Sequence, residues 1–134
     1  MIVSLHVATG GCAGLLTRSR LAAVLIGPPL HLAGDRIPHE DIADRRFEIG
    51  SALVCIGLLA MRRGPFDPVT LGAAASAAPD LEHVLPQLRP SGRKLFRRGR
   101  AGHGGGLPAS VQLLLAGAIL GWLLPLGRTS SPRS

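Results

Sequence analysis

Residues 107–126 form a run of twenty residues without a charged side chain, and an apolar run that long has few places to go. At ~1.5 Å per residue it matches the ~30 Å hydrocarbon core of a bilayer. Trp122 lies near its end, where interfacial aromatics are favoured. It is the clearest transmembrane candidate. Four apolar runs precede it, at 2–16, 21–34, 47–61 and from Val69 into the stretch 76–86. At about 14 to 16 residues each, the first three would cover only about 21 to 24 Å. They are expected to be thinly inserted, little tilted or partly buried in protein.

The composition supports a membrane setting. Hydrophobic residues make up 46% of the 134, and mean hydropathy is +0.32, high for a soluble domain. The 18 Gly and 11 Pro fall largely inside apolar runs. A water-soluble core seldom tolerates so many helix breakers, whereas membrane helices use small residues at their contacts. The expected fold is an all-α membrane helical bundle of about five short helices, one domain over 1–126 with a disordered tail at 127–134. The first run lacks a basic lead-in and a clear small-residue cleavage site, so it reads as a retained helix. Pro28 and Pro29 are expected to kink or split the second helix, and Pro79 to interrupt the fourth.

A net charge of +7 and a pI near 11.4 suit contact with anionic lipid or nucleic acid. No aromatic interleaving or zinc-finger spacing accompanies the basic residues, which weakens the nucleic-acid reading and leaves no specific nucleic-acid partner expected. Cys12 and Cys55 lie in apolar runs without CxxC spacing and read as buried thiols.

The stretch 76–86, SAAPDLEHVLP, places Asp80, Glu82 and His83 at the end of an alanine-rich run. An acid and an imidazole three positions apart share a face of a helical turn and offer oxygen and nitrogen donors to a metal such as zinc; a plain charged helix end is the alternative. His31 and Asp35 share a face in the same way. If five helices alternate direction, every histidine arrives on one side: His6 at the start of the first, His31 at the end of the second, His39 in the following loop, His83 at the end of the fourth and His103 before the fifth. The other side carries Arg18, Arg20, Arg62, Arg63 and Asp67. Ionisable groups at the ends of apolar helices are costly unless paired, solvated or metal-bound. The histidine side carries slightly more Lys and Arg, which marginally favours it as cytoplasmic.

In this order of elements the chain resembles the small integral-membrane, metal-dependent hydrolases related in pattern to zinc-dependent phospholipase C. The resemblance rests on HVATG at 6–10, HLAGDRIPH at 31–39, the P-D-x-[DE]-H element at 79–83 and His103 before glycines at 104–106. Such proteins tend to carry an H-R-G-x-T-H-S-like element before the last helix; here AGHGGGLPAS has only His103, with Leu107 and Pro108 where a second His is expected. The reading is therefore a hydrolase in a bacterial inner membrane, acting on a phosphoester or lipid-proximal substrate through water activated by a divalent metal, zinc by preference. His6, His31, Asp35, His39, Asp80, His83 and His103 are the candidate ligands, and Glu82 or Asp35 the general base. Arg97, Arg98 and Arg100 are candidates for holding an anionic substrate or headgroup, or form a solvated basic loop. A non-catalytic integral membrane protein with a structural or vestigial metal site is the alternative, and a soluble basic nucleic-acid binder a third class.

Overall fold

Three helix starts follow directly from short polar side chains. In the computed structural model, which describes residues 1–81 and 106–125, Ser19 accepts from the Ala22 amide at 3.3 Å and opens α2 (Arg20–Gly34). Asp44 accepts from Arg46 and Phe47 at 2.9 and 3.2 Å and opens α3 (Arg45–Arg63). Asp67 accepts from Val69 at 2.8 Å and opens α4 (Pro68–Ala77), with Pro68 in the first turn, where its missing N–H costs nothing. α1 (Val3–Thr17) and α5 (Ala109–Leu123) lack a side-chain cap and owe their starts to packing. The described residues thus form an all-α bundle of five helices.

α1 is the central strut. It packs against each of the other four helices, and α4 also lies along α2. An evenly apolar helix without a polar face has to be buried, and α1 buries Val3, Leu5, Val7 and Ala8 together with Ser4 and His6. Where α1 meets α4 the backbones come close: a Cβ on Gly10 would overlap the Gly72 carbonyl, and one on Gly72 would overlap the Gly10 carbonyl. Small residues at this crossing let two helices approach more closely than branched side chains would.

α2 runs unbroken through Pro28 and Pro29, contrary to the expected split. The two ring nitrogens forfeit two intrahelical bonds, but packing of α2 against α1 and α4 holds the segment helical. α4 does stop before Pro79, giving way to a 3₁₀ turn at Ala78–Asp80. The final helix is shorter than its apolar run: Leu107 is drawn into backbone pairing with the α2–α3 loop, Leu107 N–H donating to Pro38 O at 3.0 Å and Glu40 N–H to Leu107 O at 3.1 Å. Pro108 then sets the start of a 15-residue helix. Among the described residues, no helix is long and apolar enough to cross a membrane. Residues 127–134 lie outside the described ones.

Among the described residues, many large apolar side chains stand outward. Leu16 (82% exposed), Met61 (81%) and Leu114 (74%) stand outward, with Leu21, Leu25, Leu53, Val54 and Trp122 also exposed, while His6, His31, Ser76 and Gln112 are buried. Exposed apolar side chains are ordinary singly; here they recur along α2, α3 and α5.

Candidate metal centre

The alternating directions bring the start of α1, the end of α2 and the end of α4 to one end of the bundle. There the His6 and His31 rings stack, centroids 3.8 Å apart and 24° from parallel. Asp35, at the C-cap of α2, faces both rings. Its Oδ1 lies 3.0 Å from His6 Nε2 and its Oδ2 lies 3.2 Å from His31 Nε2. One carboxylate thus takes a ring N–H from each imidazole. Its Oδ1 also accepts from the Met1 nitrogen at 2.7 Å.

With its Nε2–H directed at Asp35, His6 keeps a lone pair on Nδ1. His6 Nδ1 is buried and has no hydrogen-bond partner among the described residues. His31 Nδ1 lies 2.9 Å from the Ser76 carbonyl oxygen and 3.9 Å from Asp80 Oδ2. The carbonyl can only accept, so His31 Nδ1–H donates to Ser76 O. Burial opposes charge on this ring, but the Asp35 hydrogen bond, the charge on Asp80 and the Ser76 carbonyl hold the His31 imidazole above its ordinary value; a metal at this nitrogen would have to displace that proton. His6, His31 and Asp80 offer ligand atoms that all lie within 4.8 Å of one another. The two histidines are 0% and 2% exposed, and among the described residues the one ring nitrogen left without a bond is His6 Nδ1.

Burial by itself would raise the Asp35 carboxyl, but hydrogen bonds from His31, His6 and the Met1 nitrogen hold it far below the usual carboxylate range. Burial pushes the Asp80 carboxyl up to about 6; His31 pulls it down, while negative charge on Asp35 and Glu48 pushes it further up. Asp35, Asp80 and Glu48 thus set three carboxyl groups around two imidazoles at a largely dry helix end, with the Met1 ammonium against Asp35 offsetting part of their charge.

Of the sequence candidates, the fold brings together His6, His31, Asp35 and Asp80. His39 reaches the same end but is engaged otherwise: its Nδ1–H donates to Ile37 O at 2.7 Å, its Nε2 lies 3.2 Å from Asp41 Oδ1, and its ring meets the Met1 nitrogen. Glu82, His83, His103, Arg97, Arg98 and Arg100 lie outside the described residues. Sequence reasoning passed over three participants. Glu48, 7% exposed, was not singled out, although it falls on the histidine side. The Ser76 carbonyl has no sequence signature. Gln112 is the one amide in the last apolar run; fully buried, it accepts from Ile2 N–H at 3.0 Å and donates to Glu40 O and Leu107 O, each at 2.9 Å. It ties the start of α1, four residues before His6, to the loop beside the centre.

Compared with protein-family models, with curated proteins and with solved structures, the chain finds no match.

Proposed function

We propose that this protein is a membrane-embedded, metal-dependent hydrolase acting on a phosphoester or similar lipid-proximal substrate. The observation that carries the reading is the convergence of His6, His31 and Asp80 ligand atoms within 4.8 Å, with Asp35 fixing both imidazoles from behind. A carboxylate that takes the far N–H of a ligating histidine is the usual second partner of a metal centre. Nitrogen and oxygen donors in a small closed group suit zinc. A divalent cation supplies Lewis acidity toward a phosphoryl oxygen and acidifies water near neutral pH.

In this reading His6, His31 and Asp80 hold the cation. Asp35 is committed to two imidazoles and serves as their orienting carboxylate, which leaves Glu82 as the proposed proton acceptor. His83 and His103 are proposed as completing ligands, and Arg97, Arg98 and Arg100 as contacts for an anionic group. The resemblance to small membrane hydrolases in the elements at 6–10, 31–39 and 79–83 supports the same class.

Membrane embedding is supported by the outward leucines of α2, α3 and α5 and by the close glycine crossing of α1 and α4. Short helices of 15 residues, about 22 Å long, would be met by local thinning of the bilayer.

The test is hydrolysis of a phospholipid and of a soluble phosphodiester by detergent-purified protein. The account expects turnover that a chelator abolishes, that zinc restores and that Asp80→Asn lacks. Metal-replete protein that hydrolyses neither substrate would instead support a non-catalytic membrane protein with a structural metal site.

A further inference from the structure

The end of the bundle opposite the histidines holds a cavity of about 300 Å³, lined by Gly14 and Arg18 at the end of α1, Arg63 at the end of α3, and Asp67 and Pro68 where α4 begins. A Cβ on Gly14 would overlap the Pro68 carbonyl, so a bare backbone there lets Arg18 and the start of α4 share one cavity. Arg63 is the buried member. Its side chain is 8% exposed, its Nε–H donates to Asp67 Oδ1 and an Nη1–H to Leu123 O, each at 3.1 Å. A guanidinium carries five N–H donors, and the other three of Arg63 have no partner among the described residues. Arg18 is exposed and has a φ of 52°, the left-handed backbone in which a helix ordinarily ends on glycine. Strain of this kind clusters at ligand sites.

Charge gives the ligand its sign. Arg18, Arg20, Arg62 and Arg63 gather at this end against one described acid, Asp67, whose Oδ1 is already committed to Arg63 and to Val69 N–H. The other described acids, Asp35, Glu40, Asp41, Asp44, Glu48 and Asp80, belong to the histidine end. Outside the described residues the sequence has one acidic side chain, Glu82, two positions after Asp80. The chain therefore keeps no carboxylate side chain in reserve for Arg18 and the open face of Arg63. Two guanidinium forks on different helices suit a group with three or more oxygens, which is the arginine preference for phosphate. We propose that this cavity binds a phosphate group, carried by a soluble anion or by a lipid headgroup, at a site separate from the metal centre. From His6 to Arg18 the chain climbs roughly 18 Å along α1. One phosphate cannot meet both, so the site stands or falls independently of the hydrolase reading.

The test uses the full chain in a maltoside detergent, which carries no phosphate. Isothermal titration with inorganic phosphate reads the soluble anion, and native mass spectrometry of protein incubated with phosphatidylglycerol reads the headgroup. Arg18→Gly suits the left-handed backbone, so it should keep or raise the unfolding temperature while weakening binding about tenfold or more. Arg63→Lys keeps the charge but not the fork and should weaken binding to a similar extent. Zinc content should be unchanged in both. Binding of inorganic phosphate that both variants weaken identifies a soluble anion; retention of phosphatidylglycerol alone, lost in both, identifies a headgroup. Should Arg63→Lys fail to fold, Arg18→Gly still decides. Binding of neither probe, binding that survives undiminished in folded Arg18→Gly, or binding abolished by His31→Ala would overturn the proposal.

Discussion

Asp35 joins His6 to His31: its two carboxylate oxygens lie 3.0 Å and 3.2 Å from the Nε2 atoms of rings that stack on each other. The carboxylate thus fixes the orientation of both rings. If it orients rather than ligates, Asp35→Asn should retain metal with affinity reduced about 10- to 100-fold. Asp80→Asn or His31→Ala should lose it almost entirely. Isothermal titration with zinc distinguishes the two roles, since a ligand at position 35 would make Asp35→Asn as severe as His31→Ala.

The raised Asp80 carboxyl gives a pH dependence of definite sign. Its folded value of about 6 lies above the ordinary 3.8, so the metal-free fold binds a proton more tightly than the unfolded chain does. Stability from this group is complete below about 3.8 and is lost as pH rises through about 6. Zinc must displace the same proton, so Asp80 contributes an affinity gain of up to about tenfold per pH unit below 6 and none above it. Thermal unfolding of metal-free wild type and Asp80→Asn from pH 4 to 7 should show the wild type losing ground across that window. Parallel curves would contradict the assignment.

The α1–α4 crossing should be intolerant of a single methyl group. Gly10→Ala and Gly72→Ala each drive a Cβ into the opposing backbone and should cost about 1–3 kcal/mol or more. Gly117, whose added Cβ would meet nothing within 4 Å, should accept Ala with no loss and a gain of about 1 kcal/mol in helix propensity. Unfolding of the purified variants under identical detergent conditions provides the comparison.

Gln112 is a fully bonded buried amide joining α5, α1 and the α2–α3 loop. Gln112→Leu keeps the bulk but strands Ile2 N–H and the Glu40 carbonyl and leaves the Leu107 carbonyl with Glu40 N–H alone, and should cost about 2–4 kcal/mol. Because Ile2 precedes His6 by about one helical turn, zinc affinity should fall with stability. Gln112→Glu, which keeps one acceptor, should retain more of both.

Much of this architecture is written in local chemistry. Ser19, Asp44 and Asp67 mark their helix starts, and Pro79 ends α4, as polar caps and a missing N–H require. Alternating helices were enough to place His6, His31, Asp35 and Asp80 at one end. Pro28 and Pro29 do not split α2, because packing against α1 and α4, which no local pattern reports, holds the segment helical. The last helix read too long because Leu107 pairs with Pro38 and Glu40, far away in sequence. Glu48 and the Ser76 carbonyl were invisible for the same reason: their importance comes from what packs beside them. The metal reading itself came from residue types, with geometry adding the Asp35 bridge and the unbonded His6 Nδ1.

The most direct test of the central claim is metal analysis of gently purified, detergent-solubilised protein, wild type beside His31→Ala. The account predicts about one divalent metal ion per wild-type chain, zinc foremost, with a chelator lowering the unfolding temperature, and little or no metal in His31→Ala. Wild-type protein that carries no metal, takes up none on zinc addition and unfolds identically with and without chelator would contradict it.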